Sequence, residues 1–323
     1  MAKYIGCDLG GTNIKAGIVD SETGEIIGQK SIPTLAREGH NAVMKRMADL
    51  ILSLAVDNGF KITDIGAVGI GLPGKLDMDK GEVLFLTNLP GNWPHVPVEK
   101  TISARVGLPV AIMNDVRAIT YGEWKFGAGR GADTMVCFAL GTGVGGGSVI
   151  NGKLHLGIGG SAGELGHMVI DLNGSRCGCG NRGCLETYCS GPSITAAGLR
   201  AVTQGMTTNI GELVGYDLNK ITPEVVAKAA NMGDEIALQI YDQAGYALGV
   251  GIGNILVSIC PRKVVIGGGV AAAGDLLLEP ARRAVREYAH VIPVDQVEIV
   301  LASLGSNAGV IGTALWASEK TSR

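Results

Sequence analysis

His167, Cys177, Cys179 and Cys184 fall in one short stretch with the spacing H-x9-C-x-C-x4-C. Three thiolates and an imidazole suit tetrahedral Zn2+, and four protein ligands close the coordination shell, so the expected role is structural, with one ion per chain. Gly178, Gly180 and Gly183 let the chain turn sharply enough for the ligands to converge. If one ring nitrogen of His167 takes the metal, the other becomes a donor aimed from a fixed ring. Cys7, Cys137 and Cys260 lie in apolar runs, where a thiol acts as a small hydrophobe, and Cys189 falls on a helix.

A second chemistry is written in glycine. Asp8–Thr12, Gly141–Gly147 and Gly267–Gly269 each follow an apolar strand, so successive backbone N–H groups can face a phosphate without Cβ obstruction. Any one of them reads as a tight turn; three at strand ends read as a nucleotide cradle. The expected phosphate-facing residues are Asp8, Gly10, Gly11, Thr12, Asn13, Lys15, Gly141, Thr142, Gly143, Gly268 and Gly269. A carboxylate at Asp8 repels phosphate unless a hydrated Mg2+ lies between them. Standard nucleotide motifs fail. Gly69 to Lys75 satisfies the P-loop spacing until Leu76, where Ser or Thr is required, and the Gly141-x-Gly143-x-x-Gly146 match is followed by a strand rather than a helix.

The elements that must position these residues are legible in outline. Strands are expected at Tyr4–Asp8, Asn13–Val19, Ile26–Ile32, Ile65–Ile70 and Val110–Met113, with helices over Asn41–Asn58, Val98–Val106 and Val116–Lys125. Asn114-Asp115 therefore stands where a strand gives way to a helix, the edge at which α/β proteins place active sites and where Asn and Asp also serve as helix caps. The pattern restarts with a strand at Thr134–Leu140, the glycine turn to Gly147 and a returning strand at Ser148–Ile150, which reads as a weak internal duplication. Helices follow near Ser193–Thr203, Pro223–Met232 and Asp234–Ile259, then a strand at Lys263–Ile266, a helix to about His290, a strand at Val297–Leu301 and a closing helix at Asn307–Ser318. Two α/β domains are expected, a smaller one from residues 1–117 plus 303–323 and a larger one over 118–302.

Composition narrows the class. The chain has 323 residues, 46% of them apolar, and 51 are glycine, more than twice the usual share. A net charge of −3 with 27 scattered basic residues argues against a nucleic-acid partner. The longest near-apolar run, Ala244–Cys260, is broken by glycines and Asn254 and reads as a buried helix rather than a membrane span. No signal-peptide core follows Met1, so a cytoplasmic location is expected.

Asp8-Leu-Gly-Gly-Thr12 with Leu140-Gly-Thr-Gly-Val-Gly-Gly-Gly147 resembles the sugar-kinase, hexokinase and actin-like ATPase superfamily. Gly163-Glu-Leu-Gly-His167 and the Cys177–Glu186 segment then resemble the ROK family (repressors, open reading frames, kinases), in matching order from residue 4 to about 316. The resemblance implies a two-domain ribonuclease-H-like fold with its active-site cleft between the domains. It also implies ATP-dependent, Mg2+-assisted phosphorylation of a hexose at its 6-hydroxyl, with glucose expected. A homo-oligomer, dimer or tetramer, is the expected assembly. N-acetylmannosamine, N-acetylglucosamine, mannose or fructose are the alternative sugars, and a non-catalytic sugar-responsive regulator is the alternative class. Family repressors carry a helix-turn-helix ahead of the first glycine loop; seven residues precede Asp8 here, so a DNA-binding role is not expected. Carried onto this chain, the family pattern makes Asp115 the base and Asn114, Glu164, His167 and Glu186 sugar ligands, with Gly74 and Asn88 shaping the sugar's other side. Arg117 departs from the pattern, which has a small polar residue there in many members.

Overall fold

The computed structural model describes residues 2–86 and 89–321. Strands β1 (Lys3–Leu9), β2 (Asn13–Asp20) and β3 (Ile26–Pro33) form consecutive antiparallel hairpins. Helix α1 (His40–Asp57) follows, then β4 (Ile65–Leu72), the small ribbon β5 (Lys75–Asp77) and β6 (Glu82–Phe85), α2 (Val98–Val106), β7 (Val110–Asn114) and α3 (Asp115–Phe126). β8 (Met135–Leu140), β9 (Val144–Ile150) and β10 (Lys153–His155) repeat the opening pattern. A run of helices comes next: α4 (Glu186–Cys189), α5 (Gly191–Thr203), α6 (Ile210–Leu213), α7 (Pro223–Asn231) and α8 (Glu235–Ile259). The chain ends with β11 (Lys263–Gly267), α9 (Asp275–Tyr288), β12 (Glu298–Leu301) and α10 (Ala308–Thr321).

The chain divides into two compact units, residues 1–131, 147–163 and 303–323 in one and residues 132–146 and 164–302 in the other. A division at 117/118 would cut α3. The helix instead stays whole with the first unit because its Gly122 packs against α10: a Cβ there would lie 2.4 Å from the Ala308 carbonyl oxygen. The segment from Gly147 joins it for the same kind of reason, a Cβ on Gly147 lying 2.3 Å from Thr120 Oγ1.

The strand order β3-β2-β1-β4-β7 is matched by β10-β9-β8-β11-β12, so the duplication legible in two glycine loops extends to sheet topology. In the first sheet β1, β4 and β7 run parallel, and the register sets Asp8 beside Gly71 and Leu72 beside Asn114. The candidate residues therefore line up at the carboxyl ends of three adjacent strands. In the second sheet β8, β11 and β12 run parallel, with Ala139 beside Gly267. The turn after β8 is shorter than expected, because Val144 already begins β9. Past Gly267 the chain makes a 3-10 turn at Gly269–Ala273 and breaks at Gly274, which has φ +61°, before α9 begins.

Local sequence explains the helices that carry the frame. α1 buries Val43, Met44, Met47, Ile51 and Leu54 along one face. Thr222 and Asp234 cap α7 and α8 by accepting from the Val225 and Ala237 amides. α8 ends at Cys260, which adopts φ +50° and is exposed rather than packed as a small hydrophobe. Ala244–Ile259 lies inside α8, largely buried, and no helix of the described residues is long and apolar enough to cross a membrane.

Helix α10 sits unusually close to the first sheet. A Cβ on Gly6 of β1 would fall 1.8 Å from the Val310 carbonyl oxygen, and one on Gly69 of β4 would fall 1.8 Å from that of Thr313. Gly312 meets the Ala118 carbonyl of α3 at the same separation. Gly69→Ala is expected to lower the stability of the protein by about 3 kcal/mol, the upper end of overpacking costs, because only backbone faces the added methyl. A loss below about 0.5 kcal/mol in chemical denaturation would show that α10 can move aside.

Candidate active site

The first glycine loop is pinned from beneath. The Gly10 amide donates to the Asn13 carbonyl at 3.0 Å, and the buried Thr34 hydroxyl donates to the Gly10 carbonyl at 2.7 Å. Gly11, Thr12 and Asn13 are left exposed at the tip. Lys15 points elsewhere: its ammonium donates to the Ser306 carbonyl and hydroxyl at 2.9 Å and to Asn307 Oδ1 at 2.8 Å, tying β2 to the start of α10.

Asp8 stands against three elements. Its carboxylate lies 3.3 Å from where a Cβ on Gly71 would sit and 3.2 Å from one on Gly309, in the first turn of α10. The Asp115 Cα lies 3.7 Å from that same Gly71 position. Burial, then the neighbouring Asp115 charge, push Asp8 up to about 7, against a smaller downward pull from Lys15. Two carboxylates so placed suit a divalent cation or a shared proton.

Asn114 caps α3, its Oδ1 accepting from the Val116 amide at 3.0 Å and the Arg117 amide at 3.3 Å. Its Nδ2 donates to the Gly74 carbonyl at 3.3 Å, which brings Gly74 to the same edge. Gly74 itself has φ +81°, and a Cβ there would strike the Phe85 carbonyl oxygen at 2.3 Å. Asp115, half-buried, accepts from the Val116 amide at 2.9 Å. Asn88 lies outside the described residues.

In the second unit the metal-ligand set converges. One donor atom from each of His167, Cys177, Cys179 and Cys184 lies within 4.8 Å of all the others. His167 Nδ1 is 3.7 Å from Cys177 Sγ, and the Cys179 and Cys184 sulfurs are 3.6 Å apart. A tetrahedron with Zn–S bonds near 2.3 Å has edges of about 3.8 Å, so the donor set fits zinc in both chemistry and size. Nδ1 faces the sulfurs, which leaves Nε2 as the outward nitrogen.

Glu186 links this knot to the second glycine loop. Its Oε2 accepts from the Val144 amide at 2.9 Å, and its Oε1 faces Cys177 Sγ at 3.7 Å. A side chain on Gly143 would collide with that carboxylate, its Cβ falling 2.5 Å from Oε2. The Gly191 amide at the start of α5 holds the Gly141 carbonyl at 2.8 Å, and Thr142 stays exposed at the tip. The third loop lies against the same strand end, since a Cβ on Gly268 would fall 2.2 Å from the Leu140 carbonyl oxygen, while Gly269 has open space. Glu164 is exposed, and its carbonyl accepts from the His167 amide at 3.0 Å.

The chain belongs to the ROK family, which it matches over residues 4–320. It is 38% identical over 322 residues to a glucokinase of Thermotoga maritima, covering 98% of each chain. A glucokinase of Halalkalibacterium halodurans is 37% identical over 313 residues, 96% of this chain and 93% of that one. Among solved structures, a ROK family glucokinase from Streptomyces griseus in complex with glucose and AMPPNP superimposes with a TM-score of 0.84 at 33% identity, covering 98% of this chain and 100% of that one. The fold is the two-domain α/β architecture of the actin, hexokinase and sugar-kinase group, as the family resemblance implied.

Two residues that support the site escape motif reading. Thr34 carries no motif, and only the buried hydroxyl under Gly10 reveals it. Glu123, fully buried at the end of α3, accepts from the Ala128, Ser303 and Leu304 amides and so anchors the return of the chain to α10. A carboxylate on the buried face of an amphipathic helix was the available signal.

The raised Asp8 has a consequence for pH. An unfolded Asp titrates near its ordinary value of about 3.9, so from about pH 4 to about pH 7 the folded chain holds a proton that the unfolded chain has lost. Stability falls as pH rises through that window. In metal-free protein the thermal midpoint of the wild type, taken relative to Asp8→Asn, is expected to drop between about pH 5 and pH 8. A difference that stays constant across that range would refute the burial of Asp8.

Proposed function

We propose that this protein is an ATP-dependent hexose kinase acting at the 6-hydroxyl, with glucose as the sugar and glucose 6-phosphate and ADP as products. The main support is the strand register that sets Asp8 and the Asn114-Asp115 pair at neighbouring carboxyl ends of β1, β4 and β7, together with the glucokinase relatives. Asp115 takes the proton of the 6-hydroxyl as its oxygen attacks the γ-phosphorus and the bond to the β-phosphate oxygen breaks, releasing ADP. Asn114 holds a sugar hydroxyl beside the base. Glu164, Glu186 and the outward nitrogen of His167 hold others. Carboxylates suit a polyol because each can accept from adjacent hydroxyls. The exposed amides at Gly10–Thr12, Gly141–Gly143 and Gly269 receive phosphate oxygens. Asp8 is the residue that would hold the water shell of a Mg2+ bound with ATP, which would neutralise charge developing on the phosphates.

A coupled assay over glucose, mannose, fructose, N-acetylglucosamine and N-acetylmannosamine, with ATP and polyphosphate as donors, tests the reading. Glucose with ATP is expected to give the highest kcat/KM, and Asp115→Asn to lower kcat by at least about a thousandfold while sugar still binds. An N-acetylated sugar outperforming glucose would overturn the substrate. Near-normal turnover by the variant would overturn the base, and no turnover with any pair would leave a sugar-responsive regulator.

We further propose that His167, Cys177, Cys179 and Cys184 hold one structural Zn2+, so that the metal supports both His167 and Glu186 as sugar ligands. Because such ligands converge only in the folded chain, metal binding contributes directly to folding free energy. Elemental analysis of untreated protein is expected to find one zinc per chain, and Cys179→Ser to lose the metal with a lower thermal midpoint. Zinc-free protein of full stability would refute the site.

A further inference from the structure

Arg117 is 2% exposed, and among the described residues no other lysine or arginine is buried. Its Nη1 donates to Asn114 Oδ1 at 2.9 Å and its Nε to the Ala162 carbonyl at 2.8 Å. Asn114 Oδ1 already accepts two amides of α3, which is all that a helix cap needs. Burying a guanidinium to add a third donor is costly, so capping alone does not account for Arg117. A carbonyl oxygen has two lone-pair directions, and three donors saturate it. The other end of the amide is different: Nδ2 makes one long bond to the Gly74 carbonyl at 3.3 Å, and its second hydrogen has no acceptor among the described residues.

We infer that Arg117 is a positioning residue that locks the Asn114 amide in one orientation, so that Asn114 offers the substrate a hydrogen-bond donor and never an acceptor. Turning the amide over would set its NH2 against two backbone N–H groups and a positive charge, losing three hydrogen bonds at once. Asp115, the next residue, is acceptor-only when ionised. The pair therefore reads two different features: a lone pair on an oxygen at Asn114 and an O–H at Asp115. Arg117 also ties down Ala162, which stands two residues ahead of Glu164 in the chain and within a segment carrying positive φ at Gly157, Gly159, Gly160 and Gly163. That the oxygen belongs to a hexose rests on the proposed function; the orientation does not.

Three variants test this: Arg117→Met, Arg117→Lys and Asn114→Asp. Arg117→Met is expected to raise the KM for glucose and its Kd by calorimetry without ATP at least about tenfold, with kcat and the KM for ATP changed less than about threefold. Arg117→Lys recovers part of the loss, since one ammonium cannot reach both oxygens with the geometry of the guanidinium fork. Asn114→Asp keeps the cap and a partner for Arg117 but has no N–H, so it is expected to keep the thermal midpoint and lose glucose affinity by at least about tenfold. Equal changes in both KM values and in kcat for Arg117→Met, accompanied by a fall in thermal midpoint, would make the role merely structural and overturn the inference. Glucose bound as tightly by Asn114→Asp as by the wild type would also overturn it, and decides the matter if Arg117→Met does not fold. A wild type that phosphorylates no hexose removes the proposed function instead. In that event the Asn114 side-chain amide resonances of nitrogen-labelled protein still decide, being expected to shift in Arg117→Lys; unchanged resonances would refute the lock.

Discussion

The first unit depends on how closely one helix can approach a sheet. Side chains normally hold a helix well clear of the strands beneath it, but α10 meets β1 and β4 at Gly6 and Gly69, where its carbonyl oxygens occupy the space a methyl would need. The same helix meets α3 through Gly122 and Gly312. This contact sets the depth of Gly309 against Asp8 and holds α3, with Asn114 and Asp115 at its head, in register with the sheet. Three strand ends and two helix starts are thereby brought to one edge, and the chemistry assigned to that edge requires all of them.

The second unit solves a harder local problem, because its candidate sugar ligands lie on irregular chain. Only a 3-10 turn carries His167, and Glu186 opens a helix of four residues. Neither has a long helix or a sheet to orient it. The donor atoms of His167 and the three cysteines lie together at one point of the segment, and Glu186 is tied to the glycine loop through the Val144 amide. A side chain that touches both the cysteine cluster and the glycine loop ties the two segments together, so a shift in one is passed to the other.

Electrostatics and packing act in the same place. Asp8 is driven toward neutrality by the burial that α10 imposes and by the carboxylate beside it. An enzyme that brings a divalent cation to this edge with its substrate would convert that cost into affinity for the cation. Lys15, whose charge pulls Asp8 down, is occupied by Ser306 and Asn307 and relieves the carboxylate only in part.

Much of this was legible before any coordinates. Strand and helix positions, the twofold use of a strand–glycine–strand device and the H-x9-C-x-C-x4-C ligand set are properties of short stretches of chain, where periodicity, spacing and side-chain chemistry suffice. Asn114-Asp115 could be placed at a strand-to-helix junction for the same reason. The tertiary structure decided what depends on residues far apart in sequence. It kept α3 whole within the first unit because Gly122 and, nearly two hundred positions later, Gly312 let α3 and α10 meet backbone to backbone, and gave Lys15 to the start of α10. It put Thr34 beneath Gly10 and turned the Asn114 amide by means of Arg117. Each of these is a close approach or a hydrogen bond between segments whose meeting is set by packing of the whole unit, and no local pattern of residues encodes it.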